Sequence, residues 1–273
     1  MPYKLALRGG LLVALFVLAS LMVPAKALAQ TGCLPDVGTR MPVLFVHGFN
    51  SSKDMWDLQN PKSLYNTLDR DDRLFSTWYD YEYERKRWVD FENLGGRLAK
   101  EIACRAESSR AAGGPGKIIV VAHSMGGLAT KYAASQVING RKVADDLGLV
   151  VTIGTPYKGS GAANDLVNVL GVCKWIIEFV TGSPTPLCQP SEATLGLRVG
   201  SDELKRLRPW PAGIPVLTIA GDLTMQVPMF LTVIDVDSES DYIVLKHSAL
   251  TDGRSSKKTK KSKNWSSTES KNT

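Results

Sequence analysis

The sequence predicts an α/β fold, with a mostly parallel central sheet and helices on both faces. Two observations predict it. Short apolar runs alternate with stretches of helical spacing, the pattern of successive β-α-β units. Setting aside an N-terminal leader leaves 244 residues, enough for one such domain with a sizeable core.

The elements follow in order along the chain. "PVLFVHG" (residues 42–48) reads as a buried strand running into a glycine turn. In "FENLGGRLAKEIACRA" (91–106) Phe91, Leu94, Leu98, Ile102 and Ala106 recur at helical spacing. "KIIVVA" (117–122) is the next strand, and a helix follows from about Met125 to Val137. "LGLVVTIGTP" (147–156) and "IPVLTIAG" (214–221) are two further buried strands, and "DYIVLKHSAL" (241–250) has the composition of another. "SDELKRL" (201–207) reads as a helix capped by Ser201. Residues 162–188 begin with a helical pattern that is apolar around most of its circumference. That stretch fits either a helix packed on the sheet or a lid held by a Cys173–Cys188 bridge.

Residues 1–29 carry Lys4 and Arg8 before an apolar run, then Ala27-Leu28-Ala29, a small-x-small cleavage site. The run is shorter than the roughly 20 residues of a membrane span. The expectation is therefore a signal peptide cleaved after Ala29 and a secreted protein, with an uncleaved anchor as the alternative. The domain occupies residues 30–253, and the polar, Lys-rich stretch 254–273 reads as a disordered tail. The formal charge of +6 belongs to the ends: the tail carries +6 and the leader +3, leaving −3 on the body. A mildly acidic body gives no basic groove, so nucleic acid is not expected as a partner. Four cysteines in an exported chain imply two disulfides. Cys173 with Cys188 and Cys33 with Cys104 is the expected pairing, although three pairings are formally open. No Cys/His spacing suits zinc, and "GGPGK" (113–117) lacks both the first glycine and the Ser/Thr of a phosphate loop. No metal or cofactor is expected.

The chemistry centres on Ala122-His123-Ser124-Met125-Gly126, placed between a predicted strand and a predicted helix. A serine on a sharp strand-to-helix turn needs small neighbours two residues before and after it, and Ala122 and Gly126 supply them. Acyl transfer also needs N–H donors for the oxyanion. The N–H of Met125 is one candidate and that of Phe49, in "VHGFN", the other. His47 then shapes that loop, and His123, adjacent to the nucleophile, points away from its hydroxyl.

"PVLFVHGFNSS", "VVAHSMGGL", "TIGTPYKGSGAA" and "LRVGSDELKRL" together resemble the ordered landmarks of α/β-hydrolase lipases and esterases, secreted bacterial lipases above all. The resemblance spans roughly residues 42–250. It implies Ser124 as nucleophile, Phe49 and Met125 as the oxyanion hole, acyl esters or lipids as substrate, and a lid able to touch a lipid surface.

Acid and base are less legible. Chain order in such enzymes is Ser, acid, His. Asp222 lies beside Thr224, the residue that stands where many hydrolases carry the acid; Asp241, in "SDYIVLKHS", matches the lipase pattern better. His247 is the only histidine after either. An extended 241–247 segment separates Asp241 and His247 by about 20 Å, and a helical one turns them to different sides. Two alternatives stay open. Either Asp222 pairs with His247, or Asp241 is the acid and the chain lacks its base, which the resemblance would put on a later loop. The first predicts a secreted ester hydrolase; the second, a hydrolase-fold binder of acyl ligands with little turnover.

Overall fold

Strand β1 (Met41–Val46) sends Leu44 and Val46 to one face of the sheet and Val43 and Phe45 to the other, all four fully buried. A strand apolar on both faces must be central, and it is. A five-stranded sheet in the order β2 (Leu74–Tyr79), β1, β3 (Ile118–His123), β6 (Leu147–Ile153), β7 (Val216–Ile219) has every neighbouring pair parallel. The computed structural model describes residues 37–181 and 188–220, and the backbone of 223–229 and 232–238. The leader, Cys33, Asp222, the expected strand 241–250 with Asp241 and His247, and the tail lie outside the described residues.

After β1 comes a 3₁₀ turn at Lys53–Trp56, then helix α1 (Leu64–Asp69), whose Ser63 cap accepts the Asn66 N–H at 3.2 Å. Strand β2 (Leu74–Tyr79) follows at the sheet edge. A π turn at Glu92–Gly96 then leads into α2 (Arg97–Ala111), where the expected helix was uniform; the Arg97 N–H reaches five residues back to Glu92 O. Strand β3 (Ile118–His123) runs into α3 (Met125–Ala134). This helix stops three residues short of the expected Val137. The Ser135 hydroxyl and the Gln136 amide both turn back onto Tyr132 O. Val137 instead begins a small hairpin, β4 (Val137–Ile138) with β5 (Arg141–Lys142), around Asn139-Gly140. Positive φ at both (50° and 79°) is the geometry that Asn-Gly favours in tight hairpins.

Strand β6 (Leu147–Ile153) is followed by helix α4 (Gly161–Thr181), and the Cys173–Cys188 disulfide is present. Short helices α5 (Glu192–Gly196) and α6 (Asp202–Arg206) precede β7 (Val216–Ile219). Ser201 caps α6 as expected, accepting the Leu204 N–H at 3.2 Å. The chain then forms an antiparallel hairpin, β8 (Leu223–Met229) with β9 (Thr232–Ser238), in which Leu223 stands opposite Ser238.

Helices cover both faces of the sheet. Leu98, Ile102 and Ala106 of α2 and Leu128 and Ala129 of α3 pack with Leu44, Val120 and Ala122 on one side. Trp56 and Tyr65 pack with Val43, Phe45 and Val121 on the other. The strand order reverses direction between β1 and β3. In open α/β sheets ligands bind at the carboxyl ends of strands flanking such a point.

Candidate active site

Two chain segments meet at that reversal: the turn after β3, which holds Ser124, and the loop after β1, which begins His47-Gly48-Phe49. Ser124 adopts φ 51° and ψ −128°, a region that L side chains avoid at a cost of about 1–3 kcal/mol. Its backbone is held on both sides. Its N–H donates to Ile153 O at 2.8 Å, and its carbonyl accepts the Gly127 N–H and the Thr155 hydroxyl, each at 3.0 Å. One strand further out, the Gly154 N–H donates to Ile219 O at 2.9 Å. The ends of β3, β6 and β7 thus form one hydrogen-bonded row.

Small residues around the serine are required by contact. A Cβ on Gly126 would run into the His47 carbonyl and stand 2.8 Å from Val46 O; one on Gly48 would stand 2.9 Å from Ser124 Cβ and 3.0 Å from His123 Nδ1. The β1 loop therefore lies directly against the serine turn, and the His123 ring faces that loop. Ser124 itself is part-exposed.

His47 is fully buried and flat against Tyr81, ring centroids 3.8 Å apart. Its Nδ1 donates to Gly48 O at 3.0 Å, which leaves Nε2 to accept the Tyr81 N–H at 3.4 Å; the tautomer follows from these partners. The Tyr81 hydroxyl donates to the His47 carbonyl. Burial holds the His47 pKa below its ordinary value and drives that of Tyr81 well upward, so both rings stay neutral. With both nitrogens engaged, His47 has no capacity to take a proton from Ser124.

Met125, fully buried, is the first residue of α3, so its N–H is among those a helix leaves unpaired at its positive end. Phe49 packs part-buried on the core, and its N–H meets no acceptor among the described residues. The neighbouring Asn50 N–H donates to Arg85 O at 3.3 Å, tying the β1 loop to the one after β2. Asp222, Asp241 and His247 lie outside the described residues, so the structure brings together Ser124, Met125 and the Phe49 loop and no more of the expected set. Among the described residues no group of His, Cys, Asp and Glu could hold a metal ion.

Sequence reasoning passed over Thr155, fully buried beside the serine turn. Its position directly after strand β6, in "IGTP", was the available signal.

Helix α4 begins eight residues after the end of β6. Leu166, Val169, Val172, Trp175, Ile176, Phe179 and Val180 are exposed along it, Trp175 at 65% and Phe179 at 77%. No helix among the described residues is long and apolar enough to cross a membrane.

Residues 40–183, just over half of the chain, match the family described as "Putative serine esterase (DUF676)". Among solved structures the chain is similar to Bacillus licheniformis lipase BlEst2 in its mature form. The two are 21% identical over 79% of this chain and 81% of that one, with a TM-score of 0.50. The propeptide form of the same lipase matches at 20% identity and TM-score 0.51, over 79% of this chain and 44% of that one. Staphylococcus hyicus lipase aligns over 81% of this chain and 82% of its own at 11% identity, with a TM-score of 0.48. At such identities the likeness to the Bacillus licheniformis lipase speaks for the fold, which is that of the α/β-hydrolases. By the family match, the chain belongs to this serine esterase family.

Proposed function

We propose that this protein is a secreted serine hydrolase that cleaves carboxylic esters of lipids or other acyl chains through an acyl-enzyme on Ser124. The observation that carries the reading is the serine turn: a part-exposed serine at positive φ, between a central strand and the positive end of a helix. Ser124 Oγ attacks the ester carbonyl while its proton passes to a base. The Met125 and Phe49 N–H groups hold the oxyanion, and the protonated base then releases the alcohol. Water, deprotonated by the same base, frees the acid.

The base is His247, with Asp222 as the acid that orients it. Chain geometry supports this pair. Asp222 is three residues beyond Ile219, a reach of at most about 11 Å, and Ile219 belongs to the same hydrogen-bonded row as Ser124. Pairing of Leu223 with Ser238 returns the chain to the neighbourhood of Asp222. From Ser238 a span of nine residues, up to about 30 Å, leads to His247. Asp241 remains the other candidate acid, six residues from His247 and too close in sequence to meet it on a regular element.

Substrate class follows from α4. An apolar stripe of seven exposed side chains on this helix suits a lipid surface. Export is supported by the leader and by a disulfide in the folded domain. A second reading, a binder of acyl ligands with little turnover, keeps one observation in its favour. Of the two histidines among the described residues, His47 has both nitrogens engaged and His123 faces the β1 loop.

A fluorophosphonate probe with mass-spectrometric mapping tests the reading. Ser124 is expected to carry the adduct, together with hydrolysis of p-nitrophenyl esters that Ser124→Ala removes. Labelling of another serine with Ser124 untouched overturns it.

A further inference from the structure

We propose that Thr155 is a positioning residue for the oxyanion hole: its hydroxyl orients the peptide plane that carries the Met125 N–H. The proposal rests on Ser124 being the nucleophile.

A trans peptide is planar, so its carbonyl and N–H point in opposite directions. The Ser124 carbonyl and the Met125 N–H are the two ends of one such plane. Whatever holds that carbonyl therefore aims the N–H. Beyond the helix's own ladder, two hydrogen bonds reach it, both at 3.0 Å. One comes from the Gly127 N–H and belongs to the turn itself. The other comes from a side chain, the Thr155 Oγ1 hydroxyl, 31 positions along the chain.

Thr155 is built to hold still. It is fully buried, directly after Gly154, whose N–H is fixed to Ile219 O, and its own carbonyl accepts the Tyr157 N–H at 3.0 Å. Its side chain fills the space over Gly127. A Cβ there would collide with the hydroxyl and stand 2.7 Å from Cγ2. The absence of a side chain at Gly127 is thus what lets the Thr155 hydroxyl reach the Ser124 carbonyl. A hydrogen bond to that carbonyl also polarises the peptide and strengthens its N–H as a donor.

Geometry of this kind matters most in the transition state, where the oxyanion carries its charge. Thr155→Val keeps the shape and removes the hydroxyl; Thr155→Ser keeps the hydroxyl. With rates divided by the number of sites titrated with a fluorophosphonate, Thr155→Val is expected to lower kcat by about 10- to 100-fold with KM changed less than about twofold. Affinity for a trifluoromethyl ketone analogue of the tetrahedral intermediate falls in parallel. Thr155→Ser stays within about threefold of wild type. A merely structural residue would instead lower the titrated fraction and the melting temperature, leaving kcat per titrated site unchanged, and that result overturns the proposal. So does a Thr155→Ser variant as impaired as Thr155→Val. If wild-type Ser124 takes no label, the underlying reading fails and this one with it. If Ser124 labels and Thr155→Val turns over normally, only this one fails.

Discussion

The imidazole of His47 lies on the ring of Tyr81 at a 12° interplanar angle, and each residue bonds the other's backbone: the Tyr81 hydroxyl donates to the His47 carbonyl and the His47 Nε2 accepts the Tyr81 N–H. This pair welds the loop after β1, which carries Phe49, to the segment after β2. Its neutrality has a pH signature. The folded-state pKa of His47 is depressed, chiefly by burial. The unfolded chain therefore binds the proton first. Stability is full above the unfolded value near 6.5 and declines as pH falls through and below it. Melting temperatures measured from pH 8 to pH 5 are expected to fall, and His47→Gln should flatten the part of that slope near pH 6. An unchanged slope in the variant counts against the assignment.

The pairing of acid and base is decided by two substitutions. His247→Ala and Asp222→Asn are each expected to remove most p-nitrophenyl ester hydrolysis, leaving a residual of about 10³–10⁴ over the uncatalysed rate from the oxyanion hole and binding. Asp241→Asn should have little effect. A slow wild type, indifferent to His247→Ala, is the outcome expected of the acyl-binding alternative.

The stripe on α4 makes a prediction about surfaces. Trp175 and Phe179 stack at 5.6 Å between ring centroids, both largely in solvent. Replacing both by serine should lower activity on emulsified or vesicle-bound esters by about tenfold or more, since each removes a large apolar contact. Hydrolysis of a soluble short-chain ester should be unaffected. Equal losses on both substrates would remove the stripe from any role at a lipid interface.

Asp146, 1% exposed, receives Arg110 and Arg141 on the same carboxylate oxygen, each at 2.8 Å, while its other oxygen is buried with no hydrogen-bond partner among the described residues. This pins the β4–β5 hairpin to the end of α2. Asp146→Ala should destabilise the fold by about 2 kcal/mol, less than a wholly buried pair because both arginines keep access to water. Urea unfolding measures it, and a variant as stable as wild type shows that the cluster contributes nothing.

The cysteines can be mapped directly. Cys173–Cys188 is in the structure and Cys104 is disulfide-bonded as well; the Cys33 expected opposite it lies outside the described residues. Peptide mapping without reductant should recover Cys33–Cys104 beside Cys173–Cys188, and a free thiol at either position would contradict it.

The sheet core was legible because buried strands announce themselves locally. Apolar runs at 42–48, 117–122 and 147–156 correspond to β1, β3 and β6, the three central strands. Strand β2, "LFSTWY", escaped notice since Ser76 and Thr77 split its apolar residues into two pairs, which neither form a continuous apolar run nor alternate with period two. The end of α3 was misjudged for a similar reason. Its apolar spacing continues to Val137, but Ser135 and Gln136 turn back onto Tyr132, and the Asn-Gly pair then closes a hairpin.

At the site the division is sharper. Sequence alone determined the strained serine turn, because the steric demand for small residues around Ser124 is local and is written into five consecutive residues. It also determined that His47 and Met125 belong beside that turn. Only the tertiary structure decided what those residues do there. The neutrality of His47 depends on Tyr81, 34 positions away, and the orientation of the Ser124 carbonyl depends on Thr155, 31 positions away. Hydrogen bonds and burial between segments so distant are set by how the strands order themselves in the sheet, and neither composition nor periodicity encodes that order.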